Sequence, residues 1–217
     1  MIRLYATFIG DRPYAELLRS ASRILDDEMR TRISSFRDES AASHALVSYC
    51  LRCAALEREG LARGTYRVMR DGFGKPFVEG NPVHFNLSHS GRWCVCGVSD
   101  GPVGVDVQEH RIISRAVARR FYSAEEFCRL DALDGEAYAR EFFRIWSLKE
   151  SYIKCIGKGL AHPLSSFTVP PASSNPSRIE GIPAKSYVIE GYSLALCGEG
   201  KLPDCAEELS SGQLGIA

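Results

Sequence analysis

Val103-Gly104-Val105-Asp106-Val107-Gln108 constrains this chain more than any other stretch. Valine falls at every second position, and a period of two is the signature of a strand, whose side chains alternate between faces. Val103, Val105 and Val107 are therefore predicted to enter a core. Gly104, Asp106 and Gln108 share the other face, where a carboxylate and an amide stand together with a glycine leaving room beside them. Oxygen donors of this kind suit Mg²⁺, which takes one or two carboxylates plus phosphate oxygens and water. A half-exposed strand with an ordinary polar face has the same pattern.

Around that strand the sequence alternates short strands and helices. Ile2, Leu4, Ala6 and Phe8 predict an opening strand with those four on one face. Residues 13–34 read as two short helices and 39–59 as a longer one. A weak strand at Tyr66–Met69 precedes the turn at Asp71–Gly74. His84–Ser88 and Trp93–Val98 read as strands joined at Ser90-Gly91. Beyond the central strand, helices are predicted over 112–121, 123–132 and 136–157. Ser123 and Glu126 form a capping box for the second of these. A strand near Phe167–Val169, a Pro/Ser-rich loop and a hairpin at Tyr187–Ile189 and Tyr192–Leu196 follow. The tail after Gly198 has little pattern.

With 217 residues, 45% of them apolar, the chain can bury one large core or two small ones. The turn Asp100-Gly101-Pro102 is the expected boundary between an N-terminal lobe, 1–101, and a C-terminal lobe, 102–217, carrying most of the chemistry. Charge is balanced at 27 basic and 27 acidic residues, so no bulk electrostatic argument points to nucleic acid or a membrane. No run of about 18 apolar residues exists, and the start MIRLYATFIG does not look like a secretory signal. The expectation is a cytoplasmic protein whose eight cysteines are reduced, buried and inert.

Three further segments carry chemistry. In Phe143-Arg144-Ile145-Trp146-Ser147-Leu148-Lys149-Glu150-Ser151-Tyr152-Ile153-Lys154, helical spacing puts Phe143, Trp146, Glu150 and Ile153 on one face, with Lys154 four residues beyond Glu150. Either Glu150 and Lys154 are a simple i,i+4 ion pair, or Glu150 binds a cation and Lys154 neutralises phosphate. Asn86-Leu87-Ser88-His89-Ser90-Gly91 is either a plain turn or a phosphate cradle. Gly74-Lys75-Pro76 holds a lysine between a turn glycine and a proline; a solvated turn lysine fits it as well. No Walker A sequence is present.

Taken together these segments resemble one family. GVDVQ, about 40 residues, then WSLKESYIKCIGKGL is similar to the paired signature of the 4′-phosphopantetheinyl transferases. The upstream GKP and FNLSHSGRW resemble flanking motifs of their longer, surfactin-synthetase-activating type. The likeness runs from roughly Phe36 to Val169. It implies an α/β (α+β) pseudo-dimer of two similar lobes, each a small mostly antiparallel sheet packed with helices, with coenzyme A in the cleft between them. The implied reaction moves the phosphopantetheine arm of coenzyme A to a carrier-protein serine and releases 3′,5′-ADP.

Carried over position by position, the resemblance makes Asp106, Gln108 and Glu150 the holders of Mg²⁺, or of Mn²⁺ in its place. It makes Glu150, Lys154 and His89 the catalytic groups. His44, Gly74, Lys75, Pro76, Ser88, His89 and Lys154 become the coenzyme A contacts. The family often has Glu at Gln108 and Arg at His44, so this chain brings less charge at both. A non-catalytic coenzyme A-binding module with a weakened metal site is the alternative. Arg111, Arg115 and Arg119 follow the metal strand at i, i+4 and i+8, as a basic ridge for an acidic carrier or as an ordinary solvated helix face. With both lobes on one chain, a monomer is expected.

Overall fold

A computed structural model describes residues 1–80 and 83–217. Its first half contains β1 (Arg3–Phe8), α1 (Tyr14–Ala21), α2 (Asp27–Ser34) and α3 (Glu39–Arg58). There follow β2 (Val68–Arg70), β3 (Pro76–Val78), β4 (His84–Ser90) and β5 (Trp93–Ser99). The second half contains β6 (Val103–Glu109), α4 (Arg115–Phe121), α5 (Ala124–Asp131) and α6 (Gly135–Ile156). It continues with β7 (Ser177–Ile179), β8 (Ile182–Ile189), β9 (Tyr192–Gly198) and β10 (Glu207–Glu208).

These elements make an α+β fold with mostly antiparallel sheets. One sheet has the order β10-β1-β5-β4 and a second β6-β9-β8-β7, while β2 and β3 pair alone. Helix starts follow capping chemistry. Asp26 and Asp38 accept backbone N–H bonds at the heads of α2 and α3. Ser123 and Glu126 form the predicted capping box of α5. At α4 the Ser114 hydroxyl accepts from Ala116 N, so the helix begins at Arg115 rather than at 112.

Each half has its own core, and a third apolar cluster joins them. Ile2, Leu4, Ala6 and Val95 meet Val103, Val105, Val107, Leu194 and Leu196 between the two larger sheets. The valine face of β6 is thus wholly buried, as its period predicts. β1 differs from expectation, because Tyr5 on its other face is also buried while Phe8 is exposed and packs edge-on to Trp93. The alternation is masked where both faces are covered.

The two sheets are also stitched by side chains. Alternate residues of β4 reach the backbone of β6: Asn86 Oδ1 accepts from Val105 N, Ser88 Oγ from Val107 N and Ser90 Oγ from Glu109 N. These satisfy N–H groups that an edge strand would otherwise leave unpaired. Asn86, Ser88 and Ser90 therefore have a structural reason to be polar.

Several other expectations change. No strand forms at Phe167–Val169, where Lys149 holds the Phe167 carbonyl and Glu126 accepts from Val169 N. The strand predicted at Tyr66–Met69 lies at Val68–Arg70 and pairs with Pro76–Val78. The tail is not patternless: β10 lies parallel to β1, and Leu209, Leu214 and Ile216 enter the core of the first half. Residues 207–216 thus pack with the first lobe, not with the lobe whose sequence they end. Six cysteines are buried, but Cys128 and Cys205 are exposed.

Gly104 is small for the sake of α6. A methyl added there would overlap the Ser151 carbonyl oxygen and the Cys155 nitrogen, and would lie 3.0 Å from Cys155 Cα. The clash is with backbone, which cannot rotate away. Gly104→Ala should cost roughly 1–3 kcal/mol or more, read as a fall in Tm. A variant as stable as the parent would show that α6 does not sit so tightly on β6.

Candidate active site

The site lies where β4, β6 and α6 meet. β6 supplies Asp106, α6 supplies Lys154 and Glu150 one turn apart, and β4 supplies Ser88 and His89. Asp106 is almost completely buried. Its Oδ1 accepts from Lys154 Nζ at 2.6 Å and Ser88 Oγ at 2.9 Å, and its Oδ2 from Gln108 Nε2 at 3.0 Å. Lys154 also donates to Ser88 Oγ and to the Val105 carbonyl. Lys154 therefore pairs with Asp106 on β6 and not with Glu150 on its own helix.

Glu150 is left without a hydrogen bond or ion pair among the described residues. Burial and the neighbouring Asp106 charge push its pKa up, and Lys154 works against them. Two carboxylates that repel each other, with an amide alongside, form a set of hard oxygen donors fit for a divalent cation. Among the described residues no cluster of three or more His, Cys, Asp or Glu suited to a metal exists. The third donor here would have to be Gln108 or an oxygen from outside the chain.

His89 stacks on His44, with ring centroids 4.7 Å apart. Burial lowers the His89 pKa, as do His44 and Lys154, while Asp106 raises it. A neutral imidazole offers one N–H donor without a fixed charge. The His44 ring nitrogens lie 2.8 Å from the Ser40 carbonyl and 2.6 Å from the Gly91 carbonyl. Neither nitrogen is left to donate to a ligand, so His44 packs against His89 rather than filling the part of a free cation.

A cleft of about 210 Å³ is lined by Gly74, Lys75, Pro76, Asn86, Glu150 and Lys154, among others. The expected GKP and α6 residues thus share one wall. Lys75 is not solvated there. Its Nζ donates to the Val103 and Cys155 carbonyls at 3.2 Å, and to that of Lys154. It closes the C-terminal end of α6, where carbonyls lack helical partners.

The basic ridge does not form as predicted. Arg111 precedes α4 and is exposed, and the Arg119 guanidinium lies over the Phe127 ring. Arg115 is held by Asp131, Asp134, two backbone carbonyls and the Tyr138 ring. It ties α4 to the α5–α6 connection and is not available as a docking charge. Glu109, the residue after Gln108 at the end of β6, accepts from the Tyr192 hydroxyl at 3.0 Å.

Comparison with known proteins agrees with this arrangement. Residues 102–197 match the model of the 4′-phosphopantetheinyl transferase superfamily. The chain is 32% identical to 4′-phosphopantetheinyl transferase Sfp of Bacillus subtilis (strain 168), over 96% of each protein. It is 30% identical to 4′-phosphopantetheinyl transferase ffp of Bacillus subtilis, again over 96% of each. To 4′-phosphopantetheinyl transferase psf-1 of Bacillus pumilus it is 50% identical over 99 residues, 45% of this chain and 42% of that one.

Proposed function

Because the chain belongs to the 4′-phosphopantetheinyl transferase superfamily, we propose that its reaction runs on the wall formed by Asp106, Glu150, Lys154, Ser88 and His89. The chain is an enzyme that transfers the phosphopantetheine arm of coenzyme A to a carrier-protein serine. The observation carrying the site assignment is the convergence on Asp106 of Lys154, Ser88 and Gln108, beside an unpaired Glu150.

Asp106 and Glu150 would hold Mg²⁺, with Gln108 as an orienting amide or a further oxygen donor. When bound, the ion neutralises diphosphate charge and stabilises the leaving oxygen. The chain's own groups do the rest. Phosphoryl transfer needs positioning and charge neutralisation more than covalent help. Lys154, fixed by Asp106 and Ser88, presents an ammonium to the diphosphate. His89 adds a donor that keeps its place by stacking on His44. Ser88 Oγ orients both Asp106 and Lys154. Glu150 is the acceptor for the carrier serine proton, taken directly or through water.

Coenzyme A lies between the lobes, against the GKP turn. Acidic carriers are the partners this reading favours, with Arg111 and Arg119 as the exposed charges. The enzyme acts as a monomer in the cytoplasm, and no described helix is long and apolar enough to cross a membrane.

The test is to incubate the protein with coenzyme A, Mg²⁺ and an apo carrier, and to weigh the carrier intact. A gain of about 340 Da, one phosphopantetheine arm, is expected. EDTA should abolish it if the metal assignment is right. Absence of the gain with peptidyl, acyl and aryl carriers alike would defeat the reading.

A further inference from the structure

Two cysteines far apart in the chain meet behind the active site. Cys155 stands in the last turn of α6, directly after Lys154, and Cys197 stands near the end of β9. Gly104 of β6 is the residue paired with Cys197 across the sheet, and paired residues put their side chains on one face. α6 lies against that face so closely that a methyl on Gly104 would overlap Cys155 N. No side chain at 104 therefore separates the two cysteines. They belong to one apolar cluster, and the Cys197 thiol is hydrogen-bonded to that of Cys155.

The two thiols are not equivalent. Cys155 retains 3% exposure and Cys197 none. Lys75, Lys154 and Gly157, which surround Cys155, line the smaller cleft, so a reagent little larger than water has its shortest approach to Cys155. The bond from Cys197 favours a Cys155 thiolate; burial opposes it, the Lys75 ammonium favours it, and Glu199 opposes it. As a thiol, Cys155 donates to the Pro102 carbonyl at 3.4 Å. Cys197, the donor of the pair, is pushed the other way. An attacking sulfur beside a cation with a second sulfur in contact is the arrangement that oxidises to a disulfide. Cys50, Cys94 and Cys96 differ: burial pushes each up to about 12.

We propose that Cys155 and Cys197 form a reversible disulfide on exposure to hydrogen peroxide, and that closing it lowers transfer by displacing the last turn of α6. The Cys155 sulfur attacks one peroxide oxygen, the O–O bond breaks, and water leaves a sulfenic acid. The Cys197 sulfur then attacks the sulfenic sulfur, and its hydroxyl leaves with the Cys197 proton as a second water. Two thiols are oxidised by two electrons and one peroxide is reduced to two waters. Bonded sulfurs lie about 2.05 Å apart, closer than two thiols can approach, so α6 and β9 must shift at this point. There is little slack: Gly104 touches the Cys155 backbone, and Lys75 holds the carbonyls of Lys154 and Cys155. The shift therefore reaches Lys154, whose Nζ is fixed on Asp106. The effect on transfer rests on the transferase reading; the disulfide does not.

The full chain, with the exposed Cys128 and Cys205 changed to serine, is treated with hydrogen peroxide and weighed intact. A loss of about 2 Da is expected, with Cys155 and Cys197 joined in the peptide map. Transfer to an apo carrier should fall by roughly tenfold or more, and dithiothreitol should restore both mass and activity. Cys197→Ala should instead gain about 16 Da, the sulfenic acid, which dimedone traps on Cys155. Cys155→Ala should transfer before and after peroxide alike. The peptide map of the unaltered pair decides the linkage even where a variant folds poorly. Thiols that stay free, or a disulfide that maps to other cysteines, overturn the proposal. A Cys155–Cys197 disulfide with undiminished transfer overturns the switch. A reduced protein that transfers nothing, yet forms the disulfide, marks failure of the transferase reading and takes the switch with it, while the linkage stands.

Discussion

Glu150→Gln should reduce transfer to an apo carrier by about a hundredfold or more, while the protein stays as stable as the parent or gains slightly. The two halves of this expectation have one cause. Glu150 makes no ion pair or hydrogen bond among the described residues, and burial and Asp106 both disfavour its charge. Folding alone gives no reason for a carboxylate here. A glutamine of the same shape removes the unfavourable charge and with it the anionic oxygen needed to hold a cation or accept a proton. Turnover by intact mass and Tm by calorimetry decide the matter. Near-normal turnover at saturating Mg²⁺ would remove Glu150 from the site. A large fall in Tm would show that the residue is structural.

Glu126→Ala should destabilise the fold by roughly 3–5 kcal/mol. Glu126 and Lys149 form an ion pair of 2.8 Å in which neither side chain is exposed at all. Lys149 Nζ also donates to the Leu164 and Phe167 carbonyls, and sits 4.3 Å from the centre of the Phe167 ring. The Glu126 oxygens accept from Ser123 N and Val169 N. Burial lowers the Lys149 pKa and Glu126 counters it. Removing the carboxylate leaves an ammonium among carbonyls and aromatic rings, and deprives two backbone N–H groups of acceptors. At roughly 2–4 °C per kcal/mol for a chain of this size, Tm should fall by about 10 °C. The double change Glu126→Leu with Lys149→Met should recover much of the loss, because no charge is then left unpaired. A double variant no better than Glu126→Ala would mean that the network's hydrogen bonds, and not its charges, hold the 164–169 segment to α5 and α6.

Much of the site was legible from local pattern. A period of two put Asp106 and Gln108 on one face of β6, and a period of 3.6 put Glu150 and Lys154 on one side of α6. The Ser123 and Glu126 capping box was readable because its partners lie three residues apart. The spacing also suggested two partners for Lys154, a carboxylate four residues away or a ligand. Asp106, 48 residues away, holds it instead. Lys75 looked like a turn lysine and closes the end of α6; Arg115 looked like a docking charge and is a tether.

The amino-acid sequence by itself determined the strands and helices with a buried stripe, the capped helix starts and the family, because each rests on residues close in the chain or on an ordered set of motifs. Tertiary structure alone decided which charges are free. Glu126 meets Lys149, Ser88 meets Val107 N and the tail returns to β1 only because distant segments pack together. An ion pair or an unpaired donor is set by distance and burial in space, and spacing along the chain specifies neither beyond about one helical turn or one strand face.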